Sequence, residues 1–571
     1  MAMAQITRHA LSSAQASIWF AQQLEPENAV FNTAEYVEIN GPVSLALWER
    51  AVKQAVREAD GLHVRFGEDQ DGPFQIMGPQ GDLHIQVIDY SATENPVQAA
   101  QAHMDKDYTQ PVNLQKDPLY TQILFKLAED RYFWYQRMHH IIADGYAFYL
   151  MVQRVAKIYT GLINGLSSQD DAFQSLESVL QADKAYQASP QKEQDHAFWT
   201  DRFSDRPEVA SLTASALTDV SKWPIKYASK TPSVITKHFL KGNWHEKMIA
   251  AIAAYLHRFT GKQDIILGLP MMNRMGTSAL NVPAMVMNQL PLRLNVSPDQ
   301  SFSDLVRQVT KELSEVRPHA SYRHEQMRRD FQLIGNNERL FGPFVNIMPF
   351  DIGYDFAGSK GITNRLATGP VEDIAIQIFA GTQHDGWSIE LAANPGLYTL
   401  EALETHHRHF LSLLEQVAAN DDVIIGALAL LSTIEQKQIL QDVNNTEHKV
   451  ANVTLAQLVE DQVKRGRNQT ALICGTEKVT YQTLNERANQ LGHLLVEREV
   501  GQGDYVAVAM HRSIEMVVAM LAIVKTGAAF LPIDPDYPAD RIAFMLKEVD
   551  PVCIVTEQEI AADLPYDTSC N

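Results

Sequence analysis

The residues best suited to chemistry lie together in the stretch 138–145, which reads Met-His-His-Ile-Ile-Ala-Asp-Gly. Imidazole is the side chain whose unperturbed pKa, ~6.5, leaves it mostly neutral and still basic near pH 7. Adjacent residues on an extended chain point to opposite sides. Only one of His139 and His140 can therefore face a given cavity, and the other must be structural.

The elements that must position these histidines are a strand before them and a helix after them. Residues 131–137 are rich in aromatics and apolar on both faces, which is typical of an interior strand. After the histidines, apolar residues recur at helical spacing: Tyr146, Tyr149, Val152, Val155, Ile158 and Tyr159. The histidines are thus expected where a buried strand ends, and Gly145 is expected to permit the sharp turn into the helix.

Three chemical interpretations of this stretch stay open on the residues alone. The first is a structural histidine that is buried and hydrogen-bonded within the protein, which is the usual role of a lone histidine. A metal site would use His140 and Asp144 at i and i+4, but metal sites need three or four ligands, and no further cluster has matching spacing. The third interpretation is general-base catalysis of acyl transfer.

Length and charge bound the class of protein. A chain of 571 residues is long enough for about three to four compact units of ~150 residues each. Its formal net charge of -21 makes nucleic acid and anionic membrane poor partners, because such a surface repels both. Solubility is the simplest reason for the charge.

Cysteine usage and hydropathy bear on the compartment. The three cysteines, Cys474, Cys553 and Cys570, form no disulfide framework, which fits a reducing environment. Residues 1–9 lack the apolar core of a signal peptide. No apolar run reaches the ~20 residues that a membrane span needs. These features predict a cytoplasmic protein.

The stretch 138–145 resembles the HHxxxDG signature of the condensation domains of nonribosomal peptide synthetases. The first, fifth, sixth and seventh condensation motifs are similar to residues 11–20, 285–293, 322–325 and 344–351, respectively. Farther along, residues 479–484 resemble the LTYxEL motif of adenylation domains. Residues 521–534 resemble their second motif, and read as a helix, a glycine turn and a buried strand.

The resemblance implies an α/β fold of two similar lobes, a pseudo-dimer like chloramphenicol acetyltransferase, with the site between the lobes. The first lobe is expected at residues 1–175 and the second at 176–430, followed by a linker at 431–450. Residues 451–571 are then the first part of an α/β adenylation N-terminal domain. Because the chain stops before a loop that could cradle ATP phosphates, we expect this fragment not to adenylate an amino acid.

The resemblance also implies roles for the residues of the signature. His140 is expected to be the general base, or the group that aligns the attacking amine and steadies developing charge. His139 and Gly145 are expected to be structural. No metal and no covalently bound cofactor are expected, since partner carrier proteins supply the phosphopantetheine arms.

Asp144 is expected to point away from the reacting atoms and to hold the loop by pairing with an arginine. We assign this arginine to Arg65, on a short strand predicted at residues 62–66. His63 stands where the family motif has its arginine, and Arg65 faces the same side of a strand as position 63.

The substrates are inferred from resemblance as well. Residues 14–19 and 62–66 look most like the first modules of bacillibactin- and enterobactin-type siderophore synthetases. This implies a 2,3-dihydroxybenzoyl donor on a free-standing aryl carrier protein, because nothing precedes the condensation motifs. The acceptor would be a small amino acid such as glycine or serine on a peptidyl carrier domain. An MbtH-like protein would accompany the complete adenylation domain.

Other functions stay open. A fatty-acyl starter condensation would use the same motifs with a different donor. An epimerisation domain carries the same signature but normally follows a carrier domain, and a heterocyclising domain would have aspartates in place of the histidines. A platform that only gathers carriers is disfavoured by the intact His140, Asp144 and Gly145.

Overall fold

The computed structural model describes residues 8–78, 85–166, 172–214, 223–239, 242–334, 338–348, 353–379 and 387–565. The chain forms two compact units, residues 1–441 and residues 442–571. Within the described ranges, no helix combines the length and the apolar composition that spanning a bilayer requires.

The described residues of the first unit form both strands and helices. Its strands are β1 (Arg8–Ala10), β2 (Asn32–Asn40), β3 (Val64–Asp69), β4 (Gly72–Met77), β5 (Gln86–Asp89), β6 (Tyr120–Ala128), β7 (Arg131–His139), β8 (Ile225–Lys230), β9 (Asp264–Met271), β10 (Asn288–Asn295), β11 (Phe344–Met348), β12 (Tyr354–Phe356), β13 (Ser359–Ala367), β14 (Ile374–Phe379) and β15 (Ser388–Ala393). Its α-helices are α1 (Ser13–Leu24), α2 (Leu45–Glu58), α3 (Pro96–Tyr108), α4 (Gly145–Ile163), α5 (Leu176–Gln187), α6 (Pro190–Arg202), α7 (Ser233–Phe239), α8 (Trp244–Thr260), α9 (Phe302–Val316), α10 (His324–Asp330), α11 (Leu400–Ala419) and α12 (Thr433–Lys437).

The first six-stranded sheet has the order β12-β13-β2-β7-β6-β5 and confirms the predicted interior strand. Strand β7 pairs antiparallel with β2 on one side and β6 on the other. On one face Trp134 packs against Trp48 of α2, with ring centroids 5.2 Å apart. On the other face Phe133 packs against Tyr36 of β2 at 4.3 Å. Both faces of the strand that ends at His139 are therefore buried.

The second six-stranded sheet has the order β10-β9-β11-β14-β15-β8, and the chain leaves it once to enter the first sheet. After β11, strands β12 and β13 join the first sheet, where β13 pairs with β2. The chain then returns in β14, which runs parallel to β11. Residues 354–367 thus belong to the first sheet, so a division of the lobes at residue 175 describes the sheets only in part.

The second unit is also α/β. It contains α13 (Leu455–Gly466), β16 (Thr470–Cys474), β17 (Glu477–Thr480), α14 (Tyr481–Glu497), β18 (Tyr505–Ala509), α15 (Ile514–Thr526), β19 (Ala529–Ile533), α16 (Ala539–Val549), β20 (Cys553–Thr556) and α17 (Gln558–Ala561). The helix and glycine turn predicted at 521–534 are present, with Gly527 at φ +92° ending α15. The buried strand is a partial error. Strand β19 forms an edge of its sheet, and Ala529 is exposed.

Candidate active site

His139 is held inside the first sheet with both ring nitrogens satisfied. It is 1% exposed. Its Nδ1 accepts a hydrogen bond from the Ile141 amide at 3.2 Å, so Nε2 carries the proton and donates to Oε1 of Gln22 at 3.1 Å. Burial lowers the pKa of His139 to about 3, and the neighbouring His140 acts in the same direction. The ring is thus neutral and fully bonded within the protein.

His140 follows the end of β7 and borders a large cavity. Its Nδ1 lies 3.0 Å from the carbonyl oxygen of Ala143. A carbonyl can only accept, so Nδ1 must carry the proton and Nε2 keeps its lone pair. Burial lowers the pKa of His140, and the charge of Asp144 partly opposes this effect. The imidazole is therefore neutral at pH 7, with Nε2 as an acceptor.

Gly369, in the segment between β13 and β14, lies directly against the His140 ring. Its φ is +98°, in the region that favours glycine. A Cβ at this position would lie 3.3 Å from Cδ2 and 3.6 Å from Nε2 of His140. The segment in which the chain returns from the first sheet to the second therefore closes over the histidine. No pattern in the sequence marked Gly369 as a residue of the site.

The side chain of Asp144 caps helix α4, and each of its two carboxylate oxygens accepts more than one hydrogen bond. Its Oδ1 accepts from the amide of Ala147 at 3.0 Å. Its Oδ2 accepts from the amides of Val286 and Met287 at 3.1 and 3.0 Å. Nη2 of Arg274 lies 3.0 and 2.9 Å from the two oxygens. The carboxylate thus fastens the histidine loop to the segment before β10, and both oxygens are engaged. A metal site that uses Asp144 does not fit this arrangement.

The predicted pairing of Asp144 with Arg65 is wrong, and Arg274 takes that place. Arg274 is fully buried, and its guanidinium also donates to the carbonyls of Ala279, Val282 and Ala284, each at 2.7 Å. Arg65 lies on β3 with an exposed side chain, and its Nη1 donates to the Val64 carbonyl at 3.3 Å.

Arg65 and His63 do not lie on one strand. Residues Asp60–His63 form a 3₁₀ turn, so the predicted strand begins only at Val64. His63 therefore does not share a strand face with Arg65. Its Nε2 lies 2.8 Å from the carbonyl oxygen of Val56 instead.

The predicted reason for glycine at position 145 is also wrong. Gly145 is the first residue of α4, its φ lies outside the left-handed region, and a Cβ there would meet nothing within 4 Å. The turn is made by the residues before it, and Asp144 is extended with φ -108° and ψ 178°. Gly145 does border the cavity, so a side chain there would project into it.

The cavity has a volume of about 1060 Å³ and receives residues from both sheets of the first unit. Tyr146 and Tyr149 of α4 line it, with ring centroids 5.4 Å apart. Met271, Met287 and Met348 line it from the second half of the unit. Aromatic rings and thioethers thus form one part of the wall, and polar and charged side chains, His140 among them, form much of the rest.

The predicted motifs around the cavity are brought together by Asn288, the first residue of β10. Its Nδ2 donates to the carbonyls of Ala320 and Tyr322 at 2.9 and 2.7 Å, and its Oδ1 accepts from the amide of His324 at 3.1 Å. The fifth and sixth predicted motifs are thus in contact. Residues 349–351 of the seventh motif lie outside the described residues.

Comparison with known proteins decides the family. The family model described as "Condensation domain" matches residues 5–440. The chain belongs to the condensation-domain family. A second model, "AMP-binding enzyme", matches residues 459–569, which are C-terminal to the condensation domain in the sequence.

Curated relatives of this condensation domain are nonribosomal peptide synthetases. The chain is 46% identical over 565 residues to the dimodular nonribosomal peptide synthase of Bacillus subtilis (strain 168), covering 98% of this chain and 24% of that protein. It is 31% identical over 558 residues to enterobactin synthase component F of Escherichia coli O157:H7, covering 96% of this chain and 43% of that protein. The chain thus spans less than half the length of these relatives.

A solved structure shares the fold of the condensation domain. The starter condensation domain of rhizomide synthetase, a mutant in complex with C8-CoA, matches with a TM-score of 0.71 and 37% identity. The match covers 74% of this chain and 98% of that one. The family and the mixed α/β condensation fold expected from the sequence are confirmed.

Proposed function

We propose that the cavity beside His140 joins an acyl group to an amine, both carried as thioesters on the phosphopantetheine arms of partner carrier proteins. The observation that carries this proposal is the tautomer of His140. Its Nδ1 proton is committed to the Ala143 carbonyl, which leaves Nε2 as an acceptor in a cavity of about 1060 Å³. Membership of the condensation-domain family supports the same chemistry.

The proposed step balances without any metal or further cofactor. The amine nitrogen attacks the thioester carbonyl carbon, a C–N bond forms and the C–S bond breaks. Nε2 of His140 accepts the proton that the amine loses, and this proton then passes to the leaving thiolate of the donor arm. An α-amine has a pKa of ~7.7–8.0, so a mild base and good placement suffice.

The residues around His140 support this role by fixing the ring. Asp144 and Arg274 hold the loop that carries it, and Gly369 leaves space beside it. We assign His139, Asp144 and Arg274 as positioning residues, because the His139 ring, the Asp144 carboxylate and both Nη groups of Arg274 are bonded within the protein. His140 is the residue that we expect to touch the reacting amine.

We further propose an aryl donor, 2,3-dihydroxybenzoyl on a free-standing carrier protein, and a glycyl acceptor. The relationship to enterobactin synthase component F supports a siderophore pathway. The wall of Tyr146, Tyr149 and methionines suits a planar ring, since sulfur and aromatic faces both pack favourably against one. We place the reaction in the cytoplasm and expect an MbtH-like protein to bind the complete adenylation domain.

A fatty-acyl donor is the second candidate. It is favoured by the solved starter condensation domain that was bound to C8-CoA and is 37% identical to this chain. An alkyl chain would use the same apolar wall but would leave its polar groups without partners.

A donor comparison tests the proposal. The same donor carrier is loaded with 2,3-dihydroxybenzoyl, benzoyl or octanoyl groups and mixed with a glycyl carrier and the protein, and the amide is followed by mass spectrometry. We expect the fastest turnover with 2,3-dihydroxybenzoyl. Preference for octanoyl would keep condensation and remove the aryl assignment. Inversion at Cα of an alanyl acceptor without amide would indicate epimerisation, and carrier binding without any product would indicate a docking platform.

A further inference from the structure

A second histidine faces the catalytic cavity and takes no part in the step described above. His324 is the first residue of α10, lines the same cavity as His140, and is only 8% exposed. Within the described ranges, neither ring nitrogen has a hydrogen-bond partner. Because the ring lines the cavity, its nitrogens are open to a ligand that is bound there. A ligand that displaces water from such a group without replacing the hydrogen bond loses affinity.

The position of His324 is well defined. Its amide donates to Oδ1 of Asn288 at 3.1 Å, and its ring lies 5.1 Å from the ring of Phe341, which also lines the cavity. The residue before Asn288 is Met287, whose amide donates to Asp144. A short path of hydrogen bonds thus links His324 to the loop that carries His140. Both imidazoles are held on the wall of one cavity.

The protonation state of His324 defines what it can bind. Burial lowers the pKa of His324, and the carboxylates of Glu325 and Glu372 only partly oppose this. At pH 7 the ring is neutral, with one nitrogen that donates and one that accepts. Vicinal phenolic hydroxyls can do both as well, whereas an alkyl chain can do neither.

We propose that His324 is a specificity-determining residue that hydrogen-bonds the ring hydroxyls of the acyl donor. This inference rests on the proposed function, since it concerns the same cavity and the same aryl substrate. His324 makes or breaks no bond in the reaction. It distinguishes donors because a substrate without hydroxyls leaves the buried imidazole unpaired, and such mismatches are discriminated strongly.

The test is a competition between two donors that differ only in the hydroxyls. Equal amounts of 2,3-dihydroxybenzoyl and benzoyl groups are presented on the same carrier protein, with a glycyl carrier as acceptor, and the two amides are quantified by mass spectrometry. The variants are His324→Phe, which keeps a ring against Phe341, and His324→Gln, which keeps one donor and one acceptor. We expect the preference for the hydroxylated donor to fall about tenfold in His324→Phe. In His324→Gln it should stay within about threefold of wild type.

The outcomes separate this inference from the function on which it rests. If wild type forms the aryl amides but His324→Phe has an unchanged donor ratio, the inference is overturned and the function stands. Equal loss of both amides in His324→Phe would also overturn it, because the imidazole would then serve the pantetheine arm, the acceptor or the fold. If wild type forms no amide from either aryl donor, the aryl function itself fails.

Discussion

Nη2 of Arg274 lies 2.9 and 3.0 Å from the two carboxylate oxygens of Asp144, although the residues are 130 positions apart in the chain. Both side chains are buried, at 0% and 2% exposure. The pair joins the loop that follows β7 to the segment that precedes β10, and these elements belong to different sheets. A buried ion pair of this kind is difficult to break from one side, because the remaining charge has no solvent to compensate it.

Removal of either partner should therefore destabilise the protein strongly. We expect Arg274→Ala and Asp144→Ala each to lower the free energy of unfolding by about 3–5 kcal/mol. The matched control is Arg65→Ala, which removes an exposed arginine and should change it by less than about 0.5 kcal/mol. Chemical denaturation of the three variants is the measurement. A larger loss of unfolding free energy in Arg65→Ala than in Arg274→Ala would instead indicate that Arg65 is the partner of Asp144.

Gly369 should be needed for catalysis more than for folding. Gly369→Ala would place a Cβ 3.3 Å from the His140 ring, and Gly358→Ala is a matched control with nothing within 4 Å. Their φ values, +98° and +95°, are nearly equal, so both variants carry similar backbone strain, about 1–3 kcal/mol. We expect amide formation to be reduced at least about tenfold more by Gly369→Ala, since it displaces the base. Equal rates for the two variants would contradict contact with His140.

His139 should make the folded state sensitive to acid. Its pKa is lowered from 6.5 to about 3, so between these values the unfolded chain binds a proton that the folded chain does not. The contribution of the neutral His139 imidazole to the free energy of unfolding is fully present above pH 6.5 and is lost as the pH falls toward 3. The free energy of unfolding should fall by up to about 1.4 kcal/mol per pH unit more in wild type than in His139→Gln. Identical pH slopes would show that His139 titrates in the same way in both states.

His140 should be neutral under working conditions. Burial lowers its pKa, so the imidazole should titrate below pH 6.5. An NMR titration of histidine-labelled protein measures this directly, with the signal assigned by its loss in His140→Gln. Titration at or above pH 6.5 would mean that Asp144 outweighs burial, and would leave less of the free base at neutral pH.

The parts that the sequence predicted well depend on local pattern. The aromatic run before the histidines predicted β7, and helical periodicity predicted α4, because the spacing of apolar residues over a short stretch is enough to indicate such elements. The different roles of His139 and His140 also follow from a local rule, since side chains of adjacent residues on an extended chain point to opposite sides. Burial of His139 and the cavity position of His140 agree with it.

The parts that could not be predicted depend on contacts across the two sheets. Asp144 was expected to need an arginine, but its partner is set by the path of the chain over the next 130 residues. Arg274 lies three positions after the end of β9, and burial of a charged side chain there has no signature in the local sequence. Gly369 lies in the segment by which the chain returns from the first sheet. Its approach to His140 depends on that crossover.

Amide formation by His140 between two carrier-bound substrates is the central claim, and a single-turnover reconstitution tests it most directly. A 2,3-dihydroxybenzoyl carrier and a glycyl carrier are mixed with wild type or His140→Ala, and the acceptor carrier is analysed by intact mass. We predict the 2,3-dihydroxybenzoyl-glycyl product with wild type, and a rate about 10²–10⁴-fold lower with a folded His140→Ala protein. Product formation by His140→Ala at the wild-type rate would contradict the assignment of His140 as the catalytic base.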